Sequence, residues 1–164
     1  MRRHASRLAI AGGLFLLTAV AFEGVRRCGF VAFDDNIYIY GNPHVTQGLT
    51  GQGLRWAFAA DLLFESSHAD YWMPVTILSR MLDVELFGLD PSGHHAMNAL
   101  IHALNATLVF LLFESLTGAR WRSAFAAALF AVHPLAVESV AWATERKNVL
   151  SGLFWMLAVA GYCR

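Results

Sequence analysis

Residues 96–113 read AMNALIHALNATLVFLLF, an uncharged and largely apolar run that is long enough to cross most of a lipid bilayer. Asn98, His102 and Asn105 lie within this run. Polar side chains inside a membrane helix are usually satisfied by hydrogen bonds to neighbouring helices. The run therefore predicts a transmembrane helix whose two asparagines donate hydrogen bonds to other helices.

The composition of the whole chain also favours a membrane protein. Of its 164 residues, 57% are hydrophobic and 15% are charged, whereas a soluble domain has about 25% charged residues. Twelve Lys and Arg balance twelve Asp and Glu, so the net charge gives no reason to expect a nucleic-acid partner. Cys28 and Cys163 are too few for a disulfide framework. We expect an all-α integral membrane protein.

Apolar runs elsewhere in the chain predict three more membrane-spanning helices. The first run follows three arginines and also fits a secretory signal peptide, but the later apolar runs favour an uncleaved helix. Pro134 lacks an amide donor and should kink or end the third helix. The fourth run has barely reached spanning length where the chain stops, so we expect a fragment of a longer protein. The predicted spans are about 8–25, 96–116, 123–142 and 148–163.

A polar and aromatic loop, residues 26–95, separates the first two predicted spans. Arg120 and Arg122 in the next short link favour a cytoplasmic position for that link. The parity of the helices then places the long loop and the segment 145–147 on the same, external face.

Two helices are predicted inside this loop, over residues 54–64 and 74–87. Apolar residues of the second recur at helical spacing and form one stripe. Such a stripe fits a helix in the membrane interface and fits equally well a helix that packs against the rest of the protein. The stripe consists of Val75, Leu78, Leu82 and Leu86.

An acidic pair, Asp34 and Asp35, follows the first span and lies between Phe33 and Tyr38. A carboxylate beside a membrane surface and among aromatic rings is partly desolvated and can serve as a general base. Two adjacent acids in a loop are also common as turn or capping residues. The pair alone leaves both interpretations open.

Residues 133–147 read HPLAVESVAWATERK and interrupt the most apolar third of the chain. If Pro134 starts a helix, Glu138, Trp142 and Glu145 share one face. Arg146 and Lys147 would then lie externally, where an anionic phosphate is a suitable partner for two cations. A surface cluster of ion pairs is the alternative interpretation.

Three histidines, His94, His95 and His102, raise the question of a metal site. No carboxylate accompanies them at the spacing of metal ligands, and the HExxH pattern is absent. Histidines that donate hydrogen bonds between membrane helices satisfy the same sequence pattern. We expect no metal site and no cofactor, although a divalent cation is left open.

Several motifs occur here in a fixed order and together resemble one known family. The chain is similar to the N-terminal part of the transmembrane, tetratricopeptide-repeat-containing O-mannosyltransferases, especially their bacterial-type members. The likeness covers the chain from about Phe30 onward. The motifs are Phe33-Asp34-Asp35, Asn42-Pro43, Gly48-Leu49-Thr50, Tyr71-Trp72-Met73-Pro74-Val75-Thr76, Gly93-His94-His95 with Asn98 and His102, His133-Pro134, Val137-Glu138-Ser139-Val140-Ala141-Trp142 and Glu145-Arg146-Lys147.

The resemblance implies a partial GT-C fold with several spans and an external first loop that contains interfacial helices. It also implies a glycosyltransferase that moves a sugar, mannose in this family, from a polyprenyl phosphate to a protein hydroxyl. The reaction would take place on the extracytoplasmic side of the bacterial inner membrane, or of the endoplasmic reticulum membrane in a eukaryote. Family members continue into more spans and repeats, so we expect this chain alone to lack a complete donor groove.

Roles for individual residues follow from this likeness and from chemistry. Asp34 or Asp35 matches the acidic pair of the family and would deprotonate the acceptor hydroxyl. Residues of the segment 133–147, here called the second segment, would bind the donor phosphate or substrate. The three histidines would support these binding residues. The binding residues would be His133, Glu138, Glu145, Arg146 and Lys147, and the supporting residues His94, His95 and His102.

Two other function classes are compatible with the residues. A non-enzymatic transporter segment or scaffold would use its buried polar groups for helix packing. A metal-dependent membrane hydrolase would use the histidines as ligands.

Overall fold

The computed structural model describes residues 2–59 and 72–163, and every regular element in these two ranges is helical. The predicted all-α class is confirmed for this part of the chain. Short 3₁₀ or π-helical turns occupy residues 23–27, 36–40 and 143–145. The α-helices are α1 (Arg2–Ala21), α2 (Pro43–Thr46), α3 (Gly51–Phe58), α4 (Pro74–Phe87), α5 (Pro91–Thr117), α6 (Arg120–Val132), α7 (Ala136–Ala141) and α8 (Arg146–Tyr162).

Helix α5 is the centre of the bundle, because α1, α6 and α8 all pack along it. Arg7 lies beside Glu114 and Phe22 lies beside His102, so α1 and α5 run antiparallel. Small residues are fully buried where the helices meet, and in a membrane such residues allow the close contact that holds helices together. The buried core between the helices includes Ala11, Leu14, Val109, Phe110, Ala127 and Met156.

The polar side chains of α5 bind the backbone of neighbouring segments. The side-chain amide of Asn98 donates to Trp142 O at 2.9 Å, and that of Asn105 donates to Val149 O at 2.8 Å. The prediction that the asparagines donate hydrogen bonds to other helices is therefore confirmed for Asn105, whereas the partner of Asn98 lies in the extended backbone between α7 and α8. Their partners lie at the entry to α8 and in its first turn.

Two helical segments, His4–Arg27 and Pro91–Thr117, are long and apolar enough to cross a membrane. Helix α6 has 13 residues and ends at Val132, which confirms that Pro134 interrupts the predicted third span. At 1.5 Å per residue, α6 is about 20 Å long. Helix α8 has 17 residues. The four spans and the external loop stay predictions.

Helix α4 has the predicted bounds, with Pro74 in its first turn, but it buries its polar side. Val75, Leu82 and Leu86 of the apolar stripe are 47%, 42% and 57% exposed. The opposite face, which includes Arg80 and Asp83, is buried against the rest of the protein. The stripe is therefore mainly on the outer surface of the described fold. The other loop helix, predicted over 54–64, is α3 as far as Phe58, and residues 60–64 lie outside the described ranges.

Candidate active site

Asp35 connects the first loop to the segment before α8. Its carboxylate is fully buried and accepts hydrogen bonds from the backbone N–H of Thr144 at 3.0 Å and from the Thr144 hydroxyl. The other oxygen accepts from the N–H of Val31 at 2.8 Å. The acidic pair and the second polar segment, which helix parity placed on one face, are therefore in direct contact.

Asp34, the other member of the pair, has a different environment. It is partly exposed, and within the described ranges its carboxylate makes no hydrogen bond or ion pair. Its backbone carbonyl accepts from the N–H groups of Ile37 and Tyr38, both at 3.0 Å, which fixes the start of the following turn. The pair thus consists of one anchored carboxylate and one carboxylate without a polar partner among the described residues.

Arg80 is a buried charged residue in this region that the sequence interpretation missed. Its Nη2 donates to Thr144 O at 2.6 Å, and its guanidinium lies 5.3 Å from the centre of the Tyr38 ring. Burial, reinforced by the nearby charge of Arg146, lowers the pKa of Arg80 to about 10. Its local signal in the sequence was a cation three residues before Asp83 in a helix with an apolar stripe. Thr144 is thereby held on two sides, by Asp35 and by Arg80.

Arg146 forms a second buried network that joins α8 to α4 and α5. Its Nη2 donates to Asp83 Oδ2 at 2.5 Å and to His94 O at 3.0 Å. Its Nη1 donates to Ser79 Oγ at 2.7 Å, and its Nε donates to Asn98 Oδ1. Four of the five N–H bonds of a guanidinium are thus used inside the protein. With 1% of its surface exposed, Arg146 acts here as a link between helices.

The remaining residues of the second segment are more accessible. Lys147 Nζ lies 2.7 Å from Glu145 Oε1, and the lysine side chain is 37% exposed. His133 and Glu138 are exposed, and His133 Nδ1 accepts from the N–H of Leu135 at 3.2 Å. A ligand can reach these three ionisable side chains without unfolding of the segment.

The prediction that Glu138, Trp142 and Glu145 share one helical face is wrong. Helix α7 ends at Ala141, and Trp142 has an extended backbone with φ −91° and ψ 122°. The physical reason is competition for hydrogen bonds: Asn98 binds Trp142 O, and Asp35 binds the N–H of Thr144. These contacts are incompatible with a continuous helix through the segment.

The three histidines each contact a backbone carbonyl. Nε2 of His94 lies 3.1 Å from Gly88 O, that of His95 lies 3.4 Å from Gly29 O, and that of His102 lies 3.1 Å from Ala131 O. Across residues 2–59 and 72–163, no three His, Cys, Asp or Glu side chains group as metal ligands. The histidines hold the first loop, the turn after α4 and helix α6 against α5.

The chain is similar to several protein O-mannosyl-transferases. It is 34% identical over 158 residues to protein O-mannosyl-transferase Tmtc1 from Drosophila melanogaster. The aligned residues cover 96% of this chain and 18% of that relative. It is 34% identical over 172 residues to TMTC1 from Mus musculus, covering 99% of this chain and 18% of the relative. For TMTC4 from Homo sapiens, the identity is 33% over 153 residues, 83% of this chain and 20% of the relative.

No family model matches the chain, and no solved structure matches it. The chain spans about a fifth of the length of the curated relatives that it matches. The similarity nevertheless extends over most of its own residues and includes both segments that meet at Asp35 and Thr144. On this similarity, the chain belongs to the TMTC family of protein O-mannosyl-transferases.

Proposed function

We propose that this chain is the part of a GT-C membrane glycosyltransferase that carries the general base, and that the base is Asp34. The enzyme transfers mannose from a polyprenyl phosphate to a hydroxyl of a protein acceptor. The observation that carries the proposal is the division of the acidic pair. Asp35 is buried and anchored to Thr144, while Asp34 is partly exposed and unpaired among the described residues. The names of the relatives support the reaction class.

In the proposed reaction, the Asp34 carboxylate accepts the proton of the acceptor hydroxyl. The hydroxyl oxygen forms a bond to the anomeric carbon while the bond from that carbon to the lipid phosphate breaks. The bonding electrons leave with the phosphate, which is a stable anion and requires no strong acid. Attack opposite the leaving group inverts the anomeric centre. Asp35 contributes by holding the loop that carries the base.

For the donor side, Lys147 is the better candidate for a phosphate contact. Its side chain is partly exposed and has one carboxylate partner, whereas Arg146 is buried and uses four of its N–H bonds within the protein. His133 and Glu138 are exposed in the same segment and are available to orient donor or acceptor. Glu145 positions Lys147 through their ion pair.

We place the enzyme in a membrane with Asp34 on the extracytoplasmic side. Two apolar helical segments support the membrane location. Arg7 of α1 and Arg120 of α6 lie together at the end of the bundle opposite Asp34. Arg122 lies in the first turn of α6, at the same end. Arginines close to the ends of membrane helices favour the cytoplasm, so this arrangement supports the proposed orientation.

The test is a transfer assay with a radiolabelled polyprenyl-phosphate mannose and membranes that contain the gene product carrying these residues. Asp34→Asn is expected to reduce transfer about 100-fold or more, because a lost general base costs about 10²–10⁴ in rate. Its thermal unfolding should match that of the unsubstituted protein. Glu23→Gln, a charge change at an exposed carboxylate shortly before the loop, is the matched control. Full transfer by Asp34→Asn would exclude Asp34 as the base.

A scaffold function is the second candidate, because so many buried polar groups in this chain are used for packing. Asn98, Asn105, His102 and Arg146 all bind across helices. A scaffold needs those four residues but has no use for an unpaired Asp34. Retained partner binding with no transfer activity in any form of the gene product would favour the scaffold.

A further inference from the structure

A cavity lies at the end of the bundle opposite Asp34. It has a volume of about 350 Å³, within the lower part of the range of about 300–1,000 Å³ that is usual for small-molecule sites. It lies where the start of α1, the end of α5 and the start of α6 meet. Its lining residues are His4, Arg7, Glu114, Ser115, Gly118 and Arg120.

The charge of this cavity is positive because two guanidiniums share one carboxylate. Arg7 Nε lies 3.0 Å from Glu114 Oε2, and Arg120 Nε lies 2.6 Å from Glu114 Oε1. Arg120 Nη1 also donates to Ser6 Oγ at 2.7 Å. Glu114 therefore neutralises one of the two cations, and the guanidinium and carboxylate groups of the lining keep an excess of one positive charge.

Hydrogen-bond donors remain unused in the same place. Within the described ranges, both terminal amino groups of Arg7 and the Nη2 of Arg120 have no hydrogen-bond partner. The Arg7 side chain is 39% exposed, so its donors are accessible from outside. Helix α6 adds to the positive potential, because its N-cap is Ala119, which has no side-chain acceptor for the first amides.

We propose that this cavity binds a phosphate group, the chemistry that an anionic phospholipid headgroup shares with free phosphate. Planar guanidiniums match the oxygens of a phosphate and bind them with charge-assisted hydrogen bonds. The exposed Trp121 follows Arg120 directly and is typical of a residue at the membrane–water interface. The site is at the opposite end from Asp34, so it is independent of the proposed transfer reaction.

The experiment measures binding to the purified chain in three arms. One arm adds inorganic phosphate in detergent, the second uses nanodiscs that contain phosphatidylglycerol in phosphatidylcholine, and the third uses phosphatidylcholine alone. Native mass spectrometry counts retained lipid, and isothermal titration measures phosphate. Selective retention of phosphatidylglycerol supports a headgroup site, and phosphate binding without lipid selectivity supports a site for the free anion. If neither phosphate nor phosphatidylglycerol binds, the proposal is overturned.

Matched variants locate the binding. Arg7→Gln should lower the affinity for the phosphate group about fivefold, since one arginine near an anionic surface contributes about a factor of five. In this variant Glu114 keeps Arg120 as its partner. Arg122→Gln is the control, because this exposed arginine is at the same end of the bundle but does not line the cavity. Equal losses in the two variants would mean a general effect of surface charge and would overturn the site.

Two further variants keep the test decisive. Glu114→Gln removes the neutralising carboxylate and should strengthen binding, the opposite sign to Arg7→Gln. Arg7→Lys keeps the charge but lacks the planar guanidinium. This variant should bind the phosphate group more weakly than the unsubstituted protein and more strongly than Arg7→Gln. If circular dichroism shows that Arg7→Gln does not fold, the test uses the affinities of the other proteins. The expected order is Glu114→Gln strongest, the unsubstituted protein next and Arg7→Lys weakest. Unchanged affinity in both Glu114→Gln and Arg7→Lys would overturn the proposal.

Discussion

The carboxylate of Asp35 accepts hydrogen bonds from both the backbone N–H and the hydroxyl of Thr144, which lies 109 residues further along the chain. Thr144 O in turn accepts from the buried guanidinium of Arg80. The loop that carries Asp34 is thereby fixed against the segment that leads into α8. This pair of polar residues connects the two regions that the sequence marked as functional.

Asp35→Asn is expected to destabilise the fold by about 3 kcal/mol, because unsatisfied buried donors cost about 1–3 kcal/mol each. Asparagine keeps one acceptor oxygen, so either the N–H of Val31 or the N–H of Thr144 would face an NH₂ donor instead of an acceptor. Thermal unfolding in detergent, followed by circular dichroism, measures the change. Thr107→Val is the matched control, since that hydroxyl donates to a carbonyl of its own helix, Ala103 O. A stability equal to that of the unsubstituted protein would show that Asp35 does not anchor the loop.

Arg146→Met is expected to cost about 3–5 kcal/mol, because it leaves the buried Asp83 carboxylate without its cation. The double variant Arg146→Met with Asp83→Asn should recover part of this loss, since it removes the unpaired charge. A double-mutant cycle on unfolding free energies measures the coupling between the two residues. Strictly additive losses would contradict the ion pair.

Asn98→Leu is expected to destabilise the bundle more than Asn105→Leu. Asn105 donates one hydrogen bond, to Val149 O, and such bonds in membrane proteins contribute about 0.6 kcal/mol on average. Asn98 donates to Trp142 O and also accepts from Arg146, so its loss also affects the buried network. Unfolding of the two single variants in the same detergent tests the order. The reverse order would contradict the assigned contacts.

The stability of the fold should also depend on pH through Asp90, the N-cap of α5. Its side chain accepts from Ser92, and these hydrogen bonds lower the pKa of Asp90 below its usual 3.8. The folded state therefore favours the carboxylate. Its contribution is present above pH 3.8 and is lost as the pH falls through the lower pKa of the folded state.

Asp90→Asn isolates this effect, because asparagine is also a good N-cap but does not titrate. The difference in melting temperature between the protein and this variant should be larger at pH 7 than at pH 3. Melting curves across this pH range, with Glu23→Gln as a carboxylate control, measure it. A difference that grows as the pH falls would contradict the assigned contacts of Asp90.

Local rules predicted those features of the fold that depend on neighbouring residues. Pro74 marked the start of α4, Pro134 marked the interruption after α6, and the asparagines of α5 had to find partners. Their partners are backbone carbonyls, which any approaching segment can supply. Composition and periodicity were therefore sufficient for α4, for most of α5 and for the presence of contacts between helices.

The buried charges of α4 could not be predicted in the same way. Arg146 binds Ser79 and Asp83, which lie 67 and 63 residues earlier in the chain. No local spacing connects such residues, and the apolar stripe of α4 drew attention to the other face of the helix. The interpretation of Arg146 as an accessible cation followed from its neighbours in sequence, whereas its actual environment depends on how three helices pack.

The contact between Asp35 and Thr144 also has a consequence for the timing of biosynthesis. Ribosomes add about 5–20 residues per second, so roughly 5–20 s pass between the synthesis of Asp35 and that of the threonine that holds it. During this interval the acidic loop has left the ribosome without its anchor. The proposed catalytic base therefore reaches its working position only after Thr144 has been made, and a chain interrupted before Thr144 carries the base but cannot place it.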